Sequence, residues 1–264
     1  MGIEFYRDAS LPFFELKLCA EEEVRYKRHS HEECSLGILQ QGETLVWCDG
    51  ESGTLSEETL LFFPPCAVHA CAPLRKDRWR YAMFFVDAEW FRAFREAELA
   101  GAEIGFTMLS SRECDFSPVR GMLATFIGNA EPLEKETVTA DVFGWIAGKQ
   151  TPPSPYKGGR EHPGLMKIQE HLRGFFPEKI TLDRLEEISG INKFHIPRLF
   201  KERFMLTPHA YQTILRVNHA KKELRKKKHP VELAAGLGFF DQSHFIKVFK
   251  SHVGVTPRQY RGEA

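Results

Sequence analysis

The fold is decided by two stretches of sequence, GINKFHIPRLFKERFMLTPHAY at residues 190–211 and FFDQSHFIKVFKSHVGVTPRQY at residues 239–260. At a constant offset of 49 positions they share a histidine, a phenylalanine, a lysine, a Thr-Pro pair and a tyrosine. In both, apolar residues recur at three- and four-residue steps, which indicates one apolar stripe along a helix. The matched positions are His195 with His244, Phe200 with Phe249, Lys201 with Lys250, Thr207-Pro208 with Thr256-Pro257, and Tyr211 with Tyr260. The chain therefore contains one helical module twice.

Each copy predicts a helix-turn-helix unit. An N-cap residue, Asn192 or Asp241, opens the longer helix, because its side chain can accept from the free N–H groups of the first turn. A shorter amphipathic segment precedes each cap, at residues 182–189 and 231–237, and a glycine follows each segment. In such units the second helix enters the major groove of DNA. We therefore predict two recognition helices, Asn192–Phe204 and Asp241–His252.

The segment between the two units predicts a rigid spacer. Thr207 can cap a helix whose first position is Pro208, and residues 209–225 contain neither glycine nor proline. A helix over residues 208–225 is about 27 Å long, close to the ~34 Å that separates successive major-groove faces. Two units joined in this way could read adjacent turns on one face of a duplex.

Charge divides the chain into two halves. The 264 residues carry 36 Lys+Arg and 36 Asp+Glu, but residues 165–264 hold 19 basic and 10 acidic residues, a net charge of +9. Residues 1–164 hold the balance, a net charge of −9. A basic half joined to an acidic half is typical of a nucleic-acid binder with a separate regulatory domain. The run Lys226-Lys227-Lys228 is equally consistent with phosphate contact and with a solvated face.

The remaining composition predicts a cytoplasmic chain. Residues 1–14 carry charges at three positions and no apolar core, so no secretory signal is expected. No stretch approaches eighteen apolar residues, so we expect no membrane-spanning helix. The six cysteines form no CxxC pair, and we expect them to be reduced thiols.

The first half predicts short strands and then helices. The predicted strands are Phe13–Cys19, Ser35–Gln40, Thr44–Cys48, Leu60–Phe63 and Tyr81–Val86, and the predicted helices are Ala88–Leu99 and segments within Val119–Ile127 and Glu134–Ala147. Residues 149–164, with four prolines, three glycines and almost no apolar residues, predict a linker. We thus expect a two-domain α+β protein: an antiparallel β-barrel with trailing helices at residues 1–148, the linker at 149–164, and an all-α domain with two helix-turn-helix units at 165–264.

The second half resembles the AraC/XylS family of bacterial transcription regulators. The residues that carry the resemblance are NKFHIPRLFK at 192–201, GFFDQSHF at 238–245, Phe249-Lys250, and GVTPRQYR at 254–261. The resemblance covers about residues 165–262. It implies sequence-specific binding of double-stranded DNA by both recognition helices.

The resemblance also assigns DNA-contacting positions. Arg198 can donate two bonds to guanine, Gln242 can pair with adenine, and Phe194 can pack on a thymine methyl group. Pro197 departs from a typical recognition helix, because proline removes a backbone hydrogen bond, and we expect no specific base contact there. The full set is Phe194, Pro197, Arg198 and Lys201 in the first helix and Gln242, Ser243, Ile246 and Lys247 in the second.

The first half resembles the cupin-type sensor domain that many of these regulators carry. His29-Ser30-His31 lies ahead of a predicted strand, and His69 follows a later strand. If residues 29–31 are a strand, the first two histidines point to the same side, and His69 could complete a three-imidazole site for a divalent metal. Metal-binding cupin enzymes place a glutamate shortly after the histidine pair, where this chain has Ser35 and Leu36, and Cys66 stands where the fold usually has glycine. The three histidines are therefore predicted to bind a metal, to contact an effector without metal, or to form a structural polar layer.

We therefore expect a non-enzymatic transcriptional regulator controlled by a small-molecule effector in the barrel, with no required cofactor. We expect a homodimer that contacts RNA polymerase if it activates transcription. The competing hypothesis is a metal-dependent cupin enzyme using His29, His31 and His69. A third is an architectural DNA binder without an effector.

Overall fold

The computed structural model describes residues 2–20, 26–48, 50–75, 79–128, 130–149 and 162–262. The chain forms two compact units, one mainly from residues 1–155 and the other mainly from residues 156–264. No helix within the described ranges is long and apolar enough to cross a membrane. The predicted linker falls largely on residues 150–161, outside the described residues, and the helix after it begins at Pro163, inside the predicted boundary.

The first unit contains antiparallel sheets, which confirms the predicted fold class. One sheet has the strand order β1-β2-β8-β3-β6-β9 and the other has the order β5-β4-β7. The strands are β1 Ile3–Tyr6, β2 Phe14–Ala20, β3 Cys34–Gln41, β4 Thr44–Cys48, β5 Glu51–Leu55, β6 Thr59–Phe63, β7 His69–Pro73, β8 Arg80–Val86 and β9 Thr107–Ser110. Strand β8 pairs with both β2 and β3 along nearly its full length, so it lies at the centre of the larger sheet.

Three helices pack against the larger sheet: α1 Ala88–Glu98, α2 Ser117–Ile127 and α3 Pro132–Ala147. Alternate residues of the strands, such as Phe14 and Leu16 of β2, join one apolar core with residues of these helices. Within it Phe143 contacts Phe62, Phe91 and other rings edge to face. Because strand side chains alternate between faces, Glu15 and Lys17 point to the opposite face, where both are buried.

The second unit is all helical. Its helices are α4 Pro163–Gly174, α5 Leu182–Ser189, α6 Ile196–Phe204, α7 Pro208–Arg225, α8 Pro230–Gly236, α9 Gln242–Val253 and α10 Pro257–Arg261. Helices α5 and α6 form the first helix-turn-helix unit, and α8 and α9 form the second. As predicted, the helix beginning near Leu165 braces the first unit, since Leu165, Ile168 and Leu172 share a core with Ile196 and Phe200. Helix α7 spans the residues predicted for the spacer.

The first recognition helix starts four residues later than predicted. Asn192 does not cap it; its Oδ1 accepts from the Phe194 N–H and its carbonyl accepts from the His195 N–H, which makes a turn. The helix begins at Ile196 with His195 as its N-cap and proline near its start. Proline has no backbone N–H to donate, and its ring crowds the turn before it. A helix that included residues 193–196 would therefore lose a backbone hydrogen bond at Pro197, whereas proline is favoured near the start of a helix. At the second unit the predicted cap is confirmed, because Asp241 accepts from the His244 N–H at 2.7 Å.

Arg216, on α7, binds the segment before the first helix-turn-helix unit and the turn of the second unit. Its Nε donates to the Phe176 carbonyl at 2.7 Å and its Nη1 donates to the Gly238 carbonyl at 2.7 Å. Gly238 has φ +74°, and a Cβ there would lie 1.8 Å from the Pro177 carbonyl oxygen. The turn of the second unit and the segment before the first unit therefore meet at a position that admits only glycine.

Two glycine substitutions separate conformational strain from close approach. Gly190 ends α5 at φ +69°, but an added Cβ would meet nothing within 4 Å. We expect Gly190→Ala to lower the free energy of unfolding of the helical unit by about 1 kcal/mol. Gly238→Ala should lower it by about 3 kcal/mol or more, because the Pro177 carbonyl must also move. Denaturant unfolding of the two full-length variants tests this; equal losses would contradict the close approach.

Candidate nucleic-acid interface

Helix α6 buries one side and exposes the side that carries the predicted contacts. Ile196 and Phe200 are fully buried, whereas Phe194 is 78% exposed. The Arg198 side chain is 68% exposed, Lys201 is exposed, and Pro197 is half-buried. The predicted residues of the first unit thus lie at or next to the solvent-facing side of one helix.

The cations of the first unit have weak intramolecular partners. Arg198 Nη1 lies 3.5 Å from Glu202 Oε1, one turn further along α6, and both side chains are more than half exposed. Lys193 donates to Asp183 at 2.5 Å and lies over the Phe194 ring. Exposed pairs of this kind contribute about 0–1 kcal/mol, so Arg198 can exchange Glu202 for an anion or a base edge at little cost.

Helix α9 presents the second set of predicted residues. Phe245 and Phe249 are fully buried on its inner side. Gln242, Ser243 and Lys247 are exposed, and Ile246 is half-buried. Asp241 caps the helix at the same end as Gln242 and Ser243. The structure therefore brings all four predicted residues onto the accessible part of α9.

The basic run after α7 is held by contacts within the protein. Lys226 and Lys228 both donate to the carboxylate of Glu223, which is 9% exposed, and Lys227 donates to the Arg261 carbonyl at 2.9 Å. Hydrogen bonds from Lys228 and Lys226 lower the pKa of Glu223 to about 2. These contacts favour a structural role for the run over phosphate contact.

The three histidines of the first half come together as predicted, although residues 29–31 are not a strand. His29 and His69 exchange backbone hydrogen bonds at 2.9 Å in an isolated bridge, and His31 precedes β3. One nitrogen from each of the three imidazoles lies within 4.8 Å of the other two. His31 and His69 are buried and His29 is half-buried. We call these three residues the imidazole cluster.

Backbone carbonyls fix the protonation of two of these rings. His29 Nδ1 lies 2.7 Å from the Lys27 carbonyl oxygen, and His31 Nδ1 lies 2.8 Å from the Glu33 carbonyl oxygen. A carbonyl oxygen only accepts, so Nδ1 carries the proton in both rings and, in a neutral ring, Nε2 keeps its lone pair. The Ser35 hydroxyl lies 3.5 Å from His31 Nε2. Metal-binding histidines commonly donate their other N–H to a carbonyl in this way, so these residues fit a divalent cation.

Two family models match the chain. One, described as a helix-turn-helix domain, matches residues 185–263, and the other, described as an AraC-like ligand binding domain, matches residues 19–131. The "Uncharacterized HTH-type transcriptional regulator YbfI" of Bacillus subtilis is 26% identical over 224 residues, which are 83% of this chain and 81% of that protein. The "Probable transcription factor PqrA" of Proteus vulgaris is 33% identical over 85 residues, which are 32% of this chain and 70% of that protein.

A solved structure shares the whole fold. The crystal structure of unsaturated fatty acid bound ToxT from Vibrio cholerae superposes with a TM-score of 0.60 at 11% identity, over 98% of this chain and 93% of that chain. At this identity the likeness concerns the fold alone. It extends through both units of the chain.

The Glu223 contacts generate a pH prediction. Because the pKa of this carboxyl is lowered from its ordinary 4.5 to about 2, its contribution is complete above pH 4.5 and is lost as the pH falls towards 2. We expect Glu223→Gln to lower the free energy of unfolding by roughly 1–2 kcal/mol at pH 6, after screening at the exposed lysines. The difference from the parent protein should shrink at pH 3. Denaturant unfolding at both pH values measures it, with exposed Glu170→Gln on α4 as control, and a pH-independent difference would contradict this account.

Proposed function

Because this chain belongs to the AraC/XylS family and is an AraC-type transcriptional regulator with an N-terminal ligand-binding domain, we propose that its two recognition helices read successive major-groove segments of one duplex. The observation that carries the proposal is the exposure of most of the predicted residues on both helices, which are otherwise packed through fully buried phenylalanines. The exposed residues are Arg198 and Lys201 on α6 and Gln242, Ser243 and Lys247 on α9. We infer that α7 sets the separation of the two units, which is supported by the bonds from Arg216 to the segment before the first unit and to the turn of the second.

Each exposed side chain has a chemical role in this proposal. Arg198 donates two hydrogen bonds to guanine O6 and N7, Gln242 pairs with adenine, and Phe194 packs on a thymine methyl group. Lys201 and Lys247 bind phosphates, which positions the helices without specifying sequence. Pro197 makes no hydrogen bond; like Ile246 it offers apolar contact only, and the Ser243 hydroxyl can bond to either a base edge or a phosphate.

We propose that the domain boundaries follow the sequence: a sensor domain at residues 1–148, a linker at 149–164 and a DNA-binding domain at 165–264. The exposed Ile127 and Leu133, at the end of α2 and the start of α3, support a homodimer formed through these helices. Such a dimer would act in the cytoplasm, and as an activator it would contact RNA polymerase.

For the sensor domain we propose that the imidazole cluster binds a divalent transition metal. The Nδ1 protons of His29 and His31 point to carbonyls, which supports Nε2 as the ligand atom in both rings, with His69 as the third ligand. Three imidazoles leave at least one coordination position for water or an effector group. An organic effector that contacts the same rings without metal is the second possibility; the ToxT structure named above holds a fatty acid.

The enzyme hypothesis has less support. The relatives described above are named as transcription regulators, and Ser35, near the place where metal-binding cupin enzymes carry a glutamate, faces His31. We propose that the chain is not an enzyme and that the imidazole cluster senses rather than catalyses.

Binding to DNA tests the central proposal. A duplex selected from a random pool by the full chain should show a protected site of about two helical turns, bound with a strong salt dependence. Arg198→Ala and Gln242→Ala should each lose about 1–3 kcal/mol of discrimination at one base position. Lys247→Gln should weaken binding to all sequences and reduce the slope of log K against log salt by about 1.

The control for this experiment is Lys167→Gln, an exposed lysine of α4 outside both helix-turn-helix units. It should leave the base preference and the salt slope nearly unchanged. Absence of any selected site, or an affinity that is indifferent to salt, would contradict the proposed function.

Calorimetric titration of the full chain with Zn²⁺ and Ni²⁺ tests the metal proposal. We expect one site per chain in the parent protein and loss of that site in His31→Ala and in His69→Ala, because each removes one of three ligands. His209→Ala, an exposed histidine at the start of α7, should bind as the parent does. Equal binding by all four proteins would contradict the assignment, and an organic ligand that raises the melting temperature without metal would replace it.

A further inference from the structure

Phe240 is the most exposed of the large apolar side chains described in the structure. Its relative exposure is 92%, compared with 78% for Phe194 and 46% for Phe175. It is absent from the set of contacts that the sequence predicts. A phenyl ring kept in water next to a recognition helix offers a large apolar surface that a partner could bury.

The backbone that presents this ring is fixed on both sides. The preceding residue, Phe239, is 7% exposed; its ring packs against Phe245 and lies 5.9 Å from the Arg216 guanidinium carbon. The Phe240 N–H donates to His244 Nδ1 at 3.4 Å, and Asp241 caps α9 immediately afterwards. With Phe239 anchored inside and Asp241 fixed as the cap, Phe240 is held outside.

The position of Phe240 favours DNA over another kind of partner. It directly precedes Asp241, Gln242 and Ser243, so it is continuous with the end of α9 that enters the groove. At the 49-residue offset the counterpart of Phe240 in the first unit is Ile191, which is 7% exposed, so the exposed ring is particular to the second unit. In the major groove the apolar feature of a base edge is the thymine C5-methyl group.

We propose that Phe240 is a DNA-contacting residue that packs on a thymine methyl group beside the base read by Gln242. The proposal rests on the proposed function, since it requires α9 to lie in the major groove. It adds an apolar contact to the hydrogen bonds of the second helix-turn-helix unit and makes that unit select for thymine at one flanking position.

The experiment combines a protein substitution with a base substitution. Duplexes are selected with the full-length parent protein, and binding is then measured for the parent, Phe240→Ala and Phe240→Leu. We expect Phe240→Ala to bind the selected duplex about 5- to 100-fold more weakly, and Phe240→Leu to recover part of the loss. Replacing the flanking dT by deoxyuridine, which lacks only the methyl group, should weaken the parent several-fold and leave Phe240→Ala almost unaffected.

The control is Phe175→Ala, which removes an exposed phenyl ring at the end of α4, outside both units. It should bind the selected duplex as the parent does. Circular dichroism and thermal unfolding of each variant identify any loss of binding that comes from misfolding. The deoxyuridine measurement on the parent protein is free of this problem, because it changes only the DNA.

The outcomes separate this proposal from the proposed function. The Phe240 contact is wrong if Arg198→Ala and Gln242→Ala weaken binding but Phe240→Ala does not. It is also wrong if the effects of deoxyuridine and of Phe240→Ala on affinity are independent. In both cases the proposal that α6 and α9 read DNA stands. If the parent selects no duplex, the proposed function itself fails. Normal binding by Phe240→Ala with impaired transcription would assign the ring to a protein partner instead and would overturn the proposal.

Discussion

The helical unit depends on one half-buried guanidinium, that of Arg216. Arg216 donates to the carbonyls of Phe176 and Gly238, both at 2.7 Å, and its Nη2 donates to the Glu178 carbonyl at 2.9 Å. Gln212, one turn earlier on α7, donates to the same Phe176 and Glu178 carbonyls. Burial lowers the pKa of Arg216, but arginine remains charged in proteins, and charge-assisted hydrogen bonds are stronger than neutral ones. The spacer therefore binds the backbone of both neighbouring segments directly.

A rigid spacer of this kind would suit the proposed reading of a long DNA site by a small domain. A flexible connection would let each helix-turn-helix unit search independently, and ordering the connection would oppose binding. Here α7 is a continuous helix of about 27 Å, and the Arg216 contacts restrict movement of the turn at Gly238 relative to residues 176–178. In the proposed function, the length of this one helix would set the spacing of the two DNA segments.

Much of the helical unit could be predicted because its signals are local. Helix α7 was predicted to its ends, since Thr207 as cap and Pro208 at the first position mark its start. Helix α5 was also predicted to its ends. The predicted start of α6 was wrong because Asn192 forms a turn with Phe194 and does not cap the helix. Pro197 favours the later start, because proline is best tolerated in the first turn of a helix. Strands β1, β5, β7 and β9 were missed; β5 (ESGTL) and β7 (HACAP) are made of small and polar residues without an apolar alternation.

Contacts that join distant parts of the chain had weaker signals. The convergence of His29, His31 and His69 was predicted from the resemblance to a cupin-type domain, but the bridge between His29 and His69 replaces the strand that was expected. Phe239 and Phe240 are identical neighbours, and periodicity alone does not say which ring is buried. The bonds from Arg216 to backbone carbonyls have no sequence signature, because every residue has a carbonyl group.

We propose that the two recognition helices read one duplex at a separation fixed by α7. The most direct measurement is the affinity of the full chain for its selected duplex after insertion of five base pairs between the two protected segments. We expect the affinity to fall to that of non-specific DNA, because half a helical turn places the second segment on the opposite face of the duplex. An affinity within a few-fold of the parent site would contradict a rigid spacer and the account built on it.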